Sequence, residues 1–265
     1  MIEFVFILIL IMLLVRHLFF WKARTFNINI PKFMAHRGMK IESPENTIES
    51  FKEAIKHGFK GVELDIILTK DGELICSHNY DLERETNGQG WIHKINLNEL
   101  DKIKTGIYSH PNNSQALPTF LEILSEIPSN IFLNIEIKTL SLFDLSTTKS
   151  LIKLIKSEQI KHSFIISTFN PIVVGYFRLF SPSVSIGYLI EDITWLWTAH
   201  LFHPDYLHPR ADLVDQDIFG MCKRHNLTLN VWTVNTIPAI RWCKKNHISG
   251  IITDKGGRTC HAAIV

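Results

Sequence analysis

From Phe4 to Val15 every side chain is apolar, and after Arg16 and His17 the run resumes with Leu18, Phe19, Phe20 and Trp21 before Lys22 and Arg24. A helix through Phe4 to Trp21 would be about 27 Å long at ~1.5 Å per residue, against a hydrocarbon core of ~30 Å, so it just spans a bilayer. Only Glu3 precedes the run as a charge and no A-x-A pattern follows it, which reads as an uncleaved N-terminal transmembrane helix over residues 1–24 rather than a signal peptide. Arg16, Lys22 and Arg24 all lie after the apolar run, so the positive-inside rule predicts a single-pass membrane anchor with the folded domain on the cytoplasmic side.

Beyond this segment, short apolar runs alternate with helical periods. The strand candidates are Phe33 to His36, Gly61 to Leu68, Glu73 to Ser77, Ile131 to Ile137, Ser163 to Thr168, Val184 to Ile190, Asp212 to Val214, Thr228 to Thr233 and Gly250 to Thr253. Such alternation is the signature of βα units around a parallel sheet. There is one candidate more than a closed barrel of eight needs, so one strand is expected outside it. Thr47 is placed to cap a helix from Ile48 to His57, with Ile48, Phe51 and Ile55 on one face and Gly58 at its end. The stretch from Tyr80 to Pro118 has few apolar runs and several Asn and Gly residues, and reads as an insertion with short helical pieces such as Leu97 to Ile103.

Composition narrows the choices. The chain has 265 residues, 46% of them hydrophobic and 20% charged. That suits one α/β barrel domain of roughly 250 residues, here 31–265, and excludes a disordered chain. A net charge of +2 without a dense basic run excludes a nucleic-acid-binding surface. Cys76, Cys222, Cys243 and Cys260 are far apart in the chain, which excludes a zinc ribbon or a C-x-x-C redox motif and predicts reduced, buried thiols.

The chemistry-bearing residues sit at strand positions. In Val62-Glu63-Leu64-Asp65-Ile66 the two-residue period sends both acids to one face and the aliphatic residues to the other. Two such carboxylates repel unless a cation lies between them, and a hard divalent ion, Mg²⁺ or Ca²⁺, suits oxygen ligands. Asn134, Glu136 and Lys138 share a face in the same way, so Glu136 offers a third oxygen and Lys138 a positive charge. His36 and Arg37 end one strand and His78 another. Imidazoles suit the exchange of protons with an attacking oxygen and a leaving alkoxide, and the Arg37 fork matches phosphate oxygens.

With these residues the sequence resembles the glycerophosphodiester phosphodiesterase family, from about Phe33 to Gly256. The matching pieces are His36-Arg37-Gly38, Pro44-Glu45-Asn46-Thr47, Gly61-Val62-Glu63-Leu64-Asp65, Thr69-Lys70-Asp71-Gly72, Thr86-Asn87-Gly88, Asn134-Ile135-Glu136-Ile137-Lys138, Trp232-Thr233-Val234-Asn235 and Gly250-Ile251-Ile252-Thr253-Asp254. The resemblance implies a TIM-type (β/α)8 barrel with a small insertion at about 80–118. It also implies a divalent metal on Glu63, Asp65 and Glu136, acid/base histidines His36 and His78, and phosphate or substrate contacts from Arg37, Glu45, Lys138 and Trp232. The expected reaction is hydrolysis of a glycerophosphodiester to glycerol 3-phosphate and an alcohol. Two departures stand out: Asn79 follows His78 where the family commonly has Asp, and Thr168 stands where it often has Ser.

Two other readings share these residues. A lysophospholipase D would act on membrane lysophospholipids, with Phe169, Trp195, Trp197 and Phe202 flooring an acyl groove. A catalytically silent, membrane-tethered binding module would leave the histidines and acids without a task.

Overall fold

A computed structural model of the chain describes residues 2–257, 260 and 262. The far end of the expected 31–265 domain, residues 258, 259, 261 and 263–265, lies outside them. The chain opens with helix α1 (Ile2–Phe19), then strand β1 (Phe33–His36), helix α2 (Ile48–Lys56), strand β2 (Gly61–Leu68) and strand β3 (Leu74–Cys76). An excursion follows with α3 (Leu97–Leu100), β4 (Lys104–Thr105) and β5 (Gln115–Ala116), closed by α4 (Phe120–Glu126). Regular alternation then runs through β6 (Phe132–Ile137), α5 (Ser146–Lys156), β7 (Phe164–Thr168), α6 (Pro171–Phe180), β8 (Ile186–Ile190) and α7 (Ala199–Phe202). It continues through β9 (Tyr206–Pro209), α8 (Gln216–His225), β10 (Thr228–Val231), α9 (Ile237–Lys245) and β11 (Gly250–Thr253).

The sheet closes. Its order is β1-β11-β10-β9-β8-β7-β6-β2, and β1 pairs with β2, which makes a parallel TIM-type barrel of eight strands. The ninth strand is β3, which turns back antiparallel along β2. Alternation sorts the side chains. Val62, Leu64 and Ile66 of β2 and Leu133, Ile135 and Ile137 of β6 join one outer core with Phe51 and Ala54 of α2, which leaves Glu63, Asp65, Asn134 and Glu136 for the inside. A smaller cluster of Met34, Phe132, Ile165, Tyr206 and Ile252 stands apart from that outer core. Gly250 is required where the strands crowd: a Cβ there would lie 2.5 Å from Asn230 Oδ1. The excursion has its own core of Ile67, Ile75, Leu82, Ile92 and Leu100. Cys76, Cys222, Cys243 and Cys260 are free and buried.

Two expectations are corrected. The segment Asp212 to Val214 is no strand; residues Ala211–Leu213 form a 3-10 turn, and the strand is Tyr206–Pro209. In addition, among the described residues no helix is long and apolar enough to cross a membrane. The reason lies in α1 itself. Arg16 and His17 occupy its last turn, and the apolar run from Phe4 to Val15 covers only about 18 Å at ~1.5 Å per residue. That run is nevertheless exposed along its whole length.

Candidate active site

The site grows from strand register. In β2 and β6, Asp65 pairs with Glu136 and Glu63 with Asn134, and His36 of β1 pairs with Glu63, so three neighbouring strands bring these side chains to one level. Glu63, Asp65 and Glu136 are buried, and one oxygen from each lies within 4.8 Å of the others. Asp65 Oδ1 is buried without a hydrogen-bond partner. Three hard oxygen donors, one of them orphaned, fit a divalent cation.

The loop after β1 carries the cationic side. Arg37 has a left-handed backbone (φ 57°), and Gly38 follows at φ 82°, where a Cβ would lie 2.8 Å from the Ser50 backbone carbon. That turn aims the Arg37 backbone N–H at Glu63 Oε2, at 2.9 Å, and the guanidinium at Glu45, at 3.0 and 3.2 Å. Arg37 Nε also lies 3.3 Å from Asp65 Oδ2, an ion pair without hydrogen-bond alignment. Asn46 grips Asp65 from behind through both its amide and the Asp65 backbone N–H, at 2.9 and 3.1 Å. Lys138 donates to Glu136 at 2.9 Å and lies 3.5 Å from Asp65.

These charges perturb one another. Burial raises Glu63 well above the usual carboxylate range, and Asp65 and Glu136 reinforce it. Burial also pushes Glu136 up to about 7, against the pull of Lys138. Burial would raise Asp65 as well, but Lys138 and Arg37 hold it below its ordinary value. Lys138 is raised despite its burial by Glu136 and Asp65. Glu63 and Glu136 thus hold protons more tightly than free carboxylates, and a bound cation would displace them.

His36 and His78 reach the same cavity by different routes. His36 ends β1, with Nδ1 3.0 Å from Asp254 Oδ1. Asp254 also accepts from Asn235 at 2.7 Å and pairs with Lys40 at 2.7 Å. Burial works against the Asp254 charge, yet His36 and Lys40 hold its pKa far below the usual range. His78 does not end a barrel strand: β3 runs back along β2 until the Ser77 N–H meets the Asp65 carbonyl, so His78 returns to the level of the acids. Its Nδ1 lies 3.1 Å from Asn79 Oδ1, and burial lowers its pKa, opposed by Asp65 and aided by Lys138 and Arg37.

A cavity of about 430 Å³ is lined by the polar side chains of His36, Arg37, Glu63, His78, Asn134, Glu136, Lys138 and Glu191 and by the apolar ones of Phe169, Leu189, Trp232 and Ile252. Trp232 spends its indole N–H on the His208 carbonyl at 2.7 Å and packs edge to face on Phe169 at 5.4 Å, so it offers the cavity a ring rather than a donor. Glu45 does not line this cavity. It clamps Arg37, which suits a carboxylate better than contact with a phosphate. Of the residues proposed for an acyl groove only Phe169 lines the cavity; Phe202 packs against the helix core beside Gly175. Sequence reasoning gave no role to Asp254 or Asn46. Asp254 directly follows a strand end, the position that marks site residues in such barrels.

A family profile, described as the glycerophosphoryl diester phosphodiesterase family, matches residues 36–258 of the chain. The chain belongs to that family. It is 34% identical over 230 residues to a glycerophosphodiester phosphodiesterase of Caldanaerobacter subterraneus subsp. tengcongensis, covering 83% of this chain and 93% of the relative. It is 27% identical to a glycerophosphodiester phosphodiesterase of Bacillus subtilis, covering 83% and 82%. Among solved structures, its fold matches an Oleispira antarctica phosphodiesterase in complex with sn-glycerol 3-phosphate, with a TM-score of 0.78, 24% identity and coverage of 89% and 97%. A Thermotoga maritima glycerophosphodiester phosphodiesterase gives a TM-score of 0.70 at 23% identity, covering 90% and 100%. The chain is thus a phosphoric diester hydrolase of the glycerophosphodiester phosphodiesterase family.

Proposed function

We propose that the protein cleaves glycerophosphodiesters to glycerol 3-phosphate and an alcohol in the cavity between the acids and Trp232. The observation that carries this reading is a cavity lined by two cations, two histidines and Glu63 and Glu136, whose carboxylates cluster with that of the buried Asp65. Glu63, Asp65 and Glu136 would hold Mg²⁺ or Ca²⁺, which when bound polarises a phosphoryl oxygen. Arg37 and Lys138 neutralise phosphoryl oxygens. Each is fixed by carboxylates at its back, so neither has to reorganise as negative charge develops. Glu45 acts through Arg37, and the Trp232 and Phe169 rings give the cavity an apolar wall that reaches Lys138.

His36 and His78 move the protons. Asp254 holds the His36 ring by its Nδ1, which orients the imidazole to accept a proton from the attacking oxygen. His78 is backed only by the neutral Asn79 amide and has a lowered pKa, which suits it to release one to the leaving alkoxide. Asn79→Asp puts a carboxylate against the His78 ring, favouring its charged form. The alkaline limb of the pH–rate profile should therefore move up by about 1 unit; an unmoved profile would remove His78 from the acid role.

The test of the activity is product release from a panel of glycerophosphodiesters and lysophospholipids. Release of glycerol 3-phosphate with the free alcohol from the former supports the reading. Turnover of lysophospholipids alone would replace it with the lysophospholipase D alternative.

For α1 we propose contact with lipid without crossing it. A helix apolar on all sides and exposed from Phe4 to Val15 gains by burial among lipid acyl chains, with Arg16, Lys22 and Arg24 at the headgroups. The full chain should float with phospholipid vesicles. A chain carrying Ile9→Glu and Leu13→Glu should stay at the bottom of the gradient; equal flotation of both would reject the contact.

A further inference from the structure

Helix α1 meets the barrel through a stack of aromatic rings. Trp21, just beyond α1, is buried between His203 and His225, with ring centroids 4.7 and 4.2 Å away and planes tilted by 13° and 16°. Its indole N–H donates to His200 Nδ1 at 3.2 Å. His17, in the last turn of α1, places its ring 4.3 Å from that of His203, and its carbonyl lies 3.0 Å from His203 Nε2. His225 Nδ1 lies 2.9 Å from the Trp21 carbonyl, and the Ala23 N–H donates to the His225 carbonyl at 2.8 Å. Three imidazoles, from α7, α8 and the turn after α7, therefore close around one indole, and a fourth, from α1, backs His203.

The contacts depend on protonation. His200 Nδ1 can accept the indole N–H only as a lone pair, so a proton there sets two N–H groups against each other. The charged neighbours are mostly cations: Arg16 on α1, Lys22 and Arg24 after it, Arg178 on α6 and Arg224 on α8. The carboxylate packed here, Asp205, is already bound to Arg24 at 2.6 Å and Arg178 at 2.9 Å. Lys22 donates to the Arg224 carbonyl, which holds another cation at the stack. One imidazolium over Trp21 would gain cation–π attraction. Charge on both faces of the indole and on His200, among these cations, turns the balance to repulsion.

We propose that this stack is a pH-operated clasp, in which neutral imidazoles hold α1 and the following segment on α7 and α8 and their protonation releases α1 from a barrel that stays folded. The sign follows from the direction of the shifts. Burial lowers His200 and His225, and burial together with His17 lowers His203 to about 4. The released state then binds protons more tightly than the clasped one. Clasping is complete above about pH 6.5 and weakens as pH falls toward 4, by up to ~10-fold per pH unit for each imidazole. Acidification would thus uncouple the exposed apolar helix from the catalytic barrel.

The experiment is hydrogen exchange of the full chain in neutral detergent micelles at pH 7.5 and 5.0, corrected for intrinsic rates. Wild-type peptides across residues 16–26 should lose protection at least tenfold at pH 5.0, while strand peptides such as 131–137 and 228–231 keep theirs. A chain with His200→Gln and His203→Phe keeps an acceptor for the indole and a ring on its face but cannot titrate there. It should stay clasped at both values. Unchanged wild-type protection, opening of the strands at the same pH, or a wild-type response in the double variant would each overturn the proposal. If that variant is open even at pH 7.5, NMR titration of the wild-type histidines decides. Release coincident with protonation of His200 and His203 supports the clasp, and release while both are neutral, or protonation without release, rejects it.

Discussion

Glu136→Gln should lower kcat/KM by roughly 10²–10³-fold and weaken divalent-metal binding, because it removes one of three anionic oxygens while keeping the side chain's size. Glu63→Gln should do the same. Asp65 is a poorer choice, since Arg37, Lys138 and Asn46 all close on it and its loss would strand two half-buried cations. The binding effect carries a pH signature independent of turnover. Glu136 without metal has its pKa raised to about 7, so its stabilising contribution is fully present below the unfolded carboxylate value and is lost as pH rises through 7. Metal binds the deprotonated form and relieves that strain. The metal-induced rise in Tm should therefore be larger at pH 8 than at pH 6 in the wild type, and this difference should shrink in Glu136→Gln. An equal rise at both values would place the ion elsewhere.

His36→Ala should cost roughly 10²–10⁴-fold in kcat with a much smaller change in KM, as expected for a proton-transfer group that does not anchor the substrate. His78→Ala should behave alike. Asp254→Asn acts through His36 and should give a smaller loss. Should His36→Ala raise KM and leave kcat intact, the ring would be a binding group and the proton would travel by another route.

Much of this arrangement was legible in the residues, because alternation is strict where a strand faces apolar helices on one side and a polar interior on the other. Val62, Leu64 and Ile66 announce the covered face of β2, and Glu63 with Asp65 then has nowhere to point but inward. Strand β9 was hidden for the opposite reason. Tyr206-Leu207-His208-Pro209 carries a buried histidine and ends in a proline, so its polarity and its missing N–H read as a loop, while the apolar pair in Asp212–Val214 drew the assignment to a turn. The role of Glu45 was equally hidden: its motif marks it as part of the site, but only the fold shows it holding Arg37 instead of facing the cavity. Asp254 is more than 200 positions from His36 along the chain, and closure of β1 against β11 is what brings them together. The apolar N-terminal run reveals its composition but not its reach, which Arg16 and His17 cut short.

The most direct measurement is glycerol 3-phosphate release from a glycerophosphodiester by the chelated full chain before and after Mg²⁺ or Ca²⁺ is restored, beside calorimetric binding of the same ion to wild type and Glu136→Gln. The account predicts activity that disappears with chelation and returns with the ion, and binding that weakens in the variant in step with turnover. Full activity after chelation, or undiminished ion binding by Glu136→Gln, would contradict it.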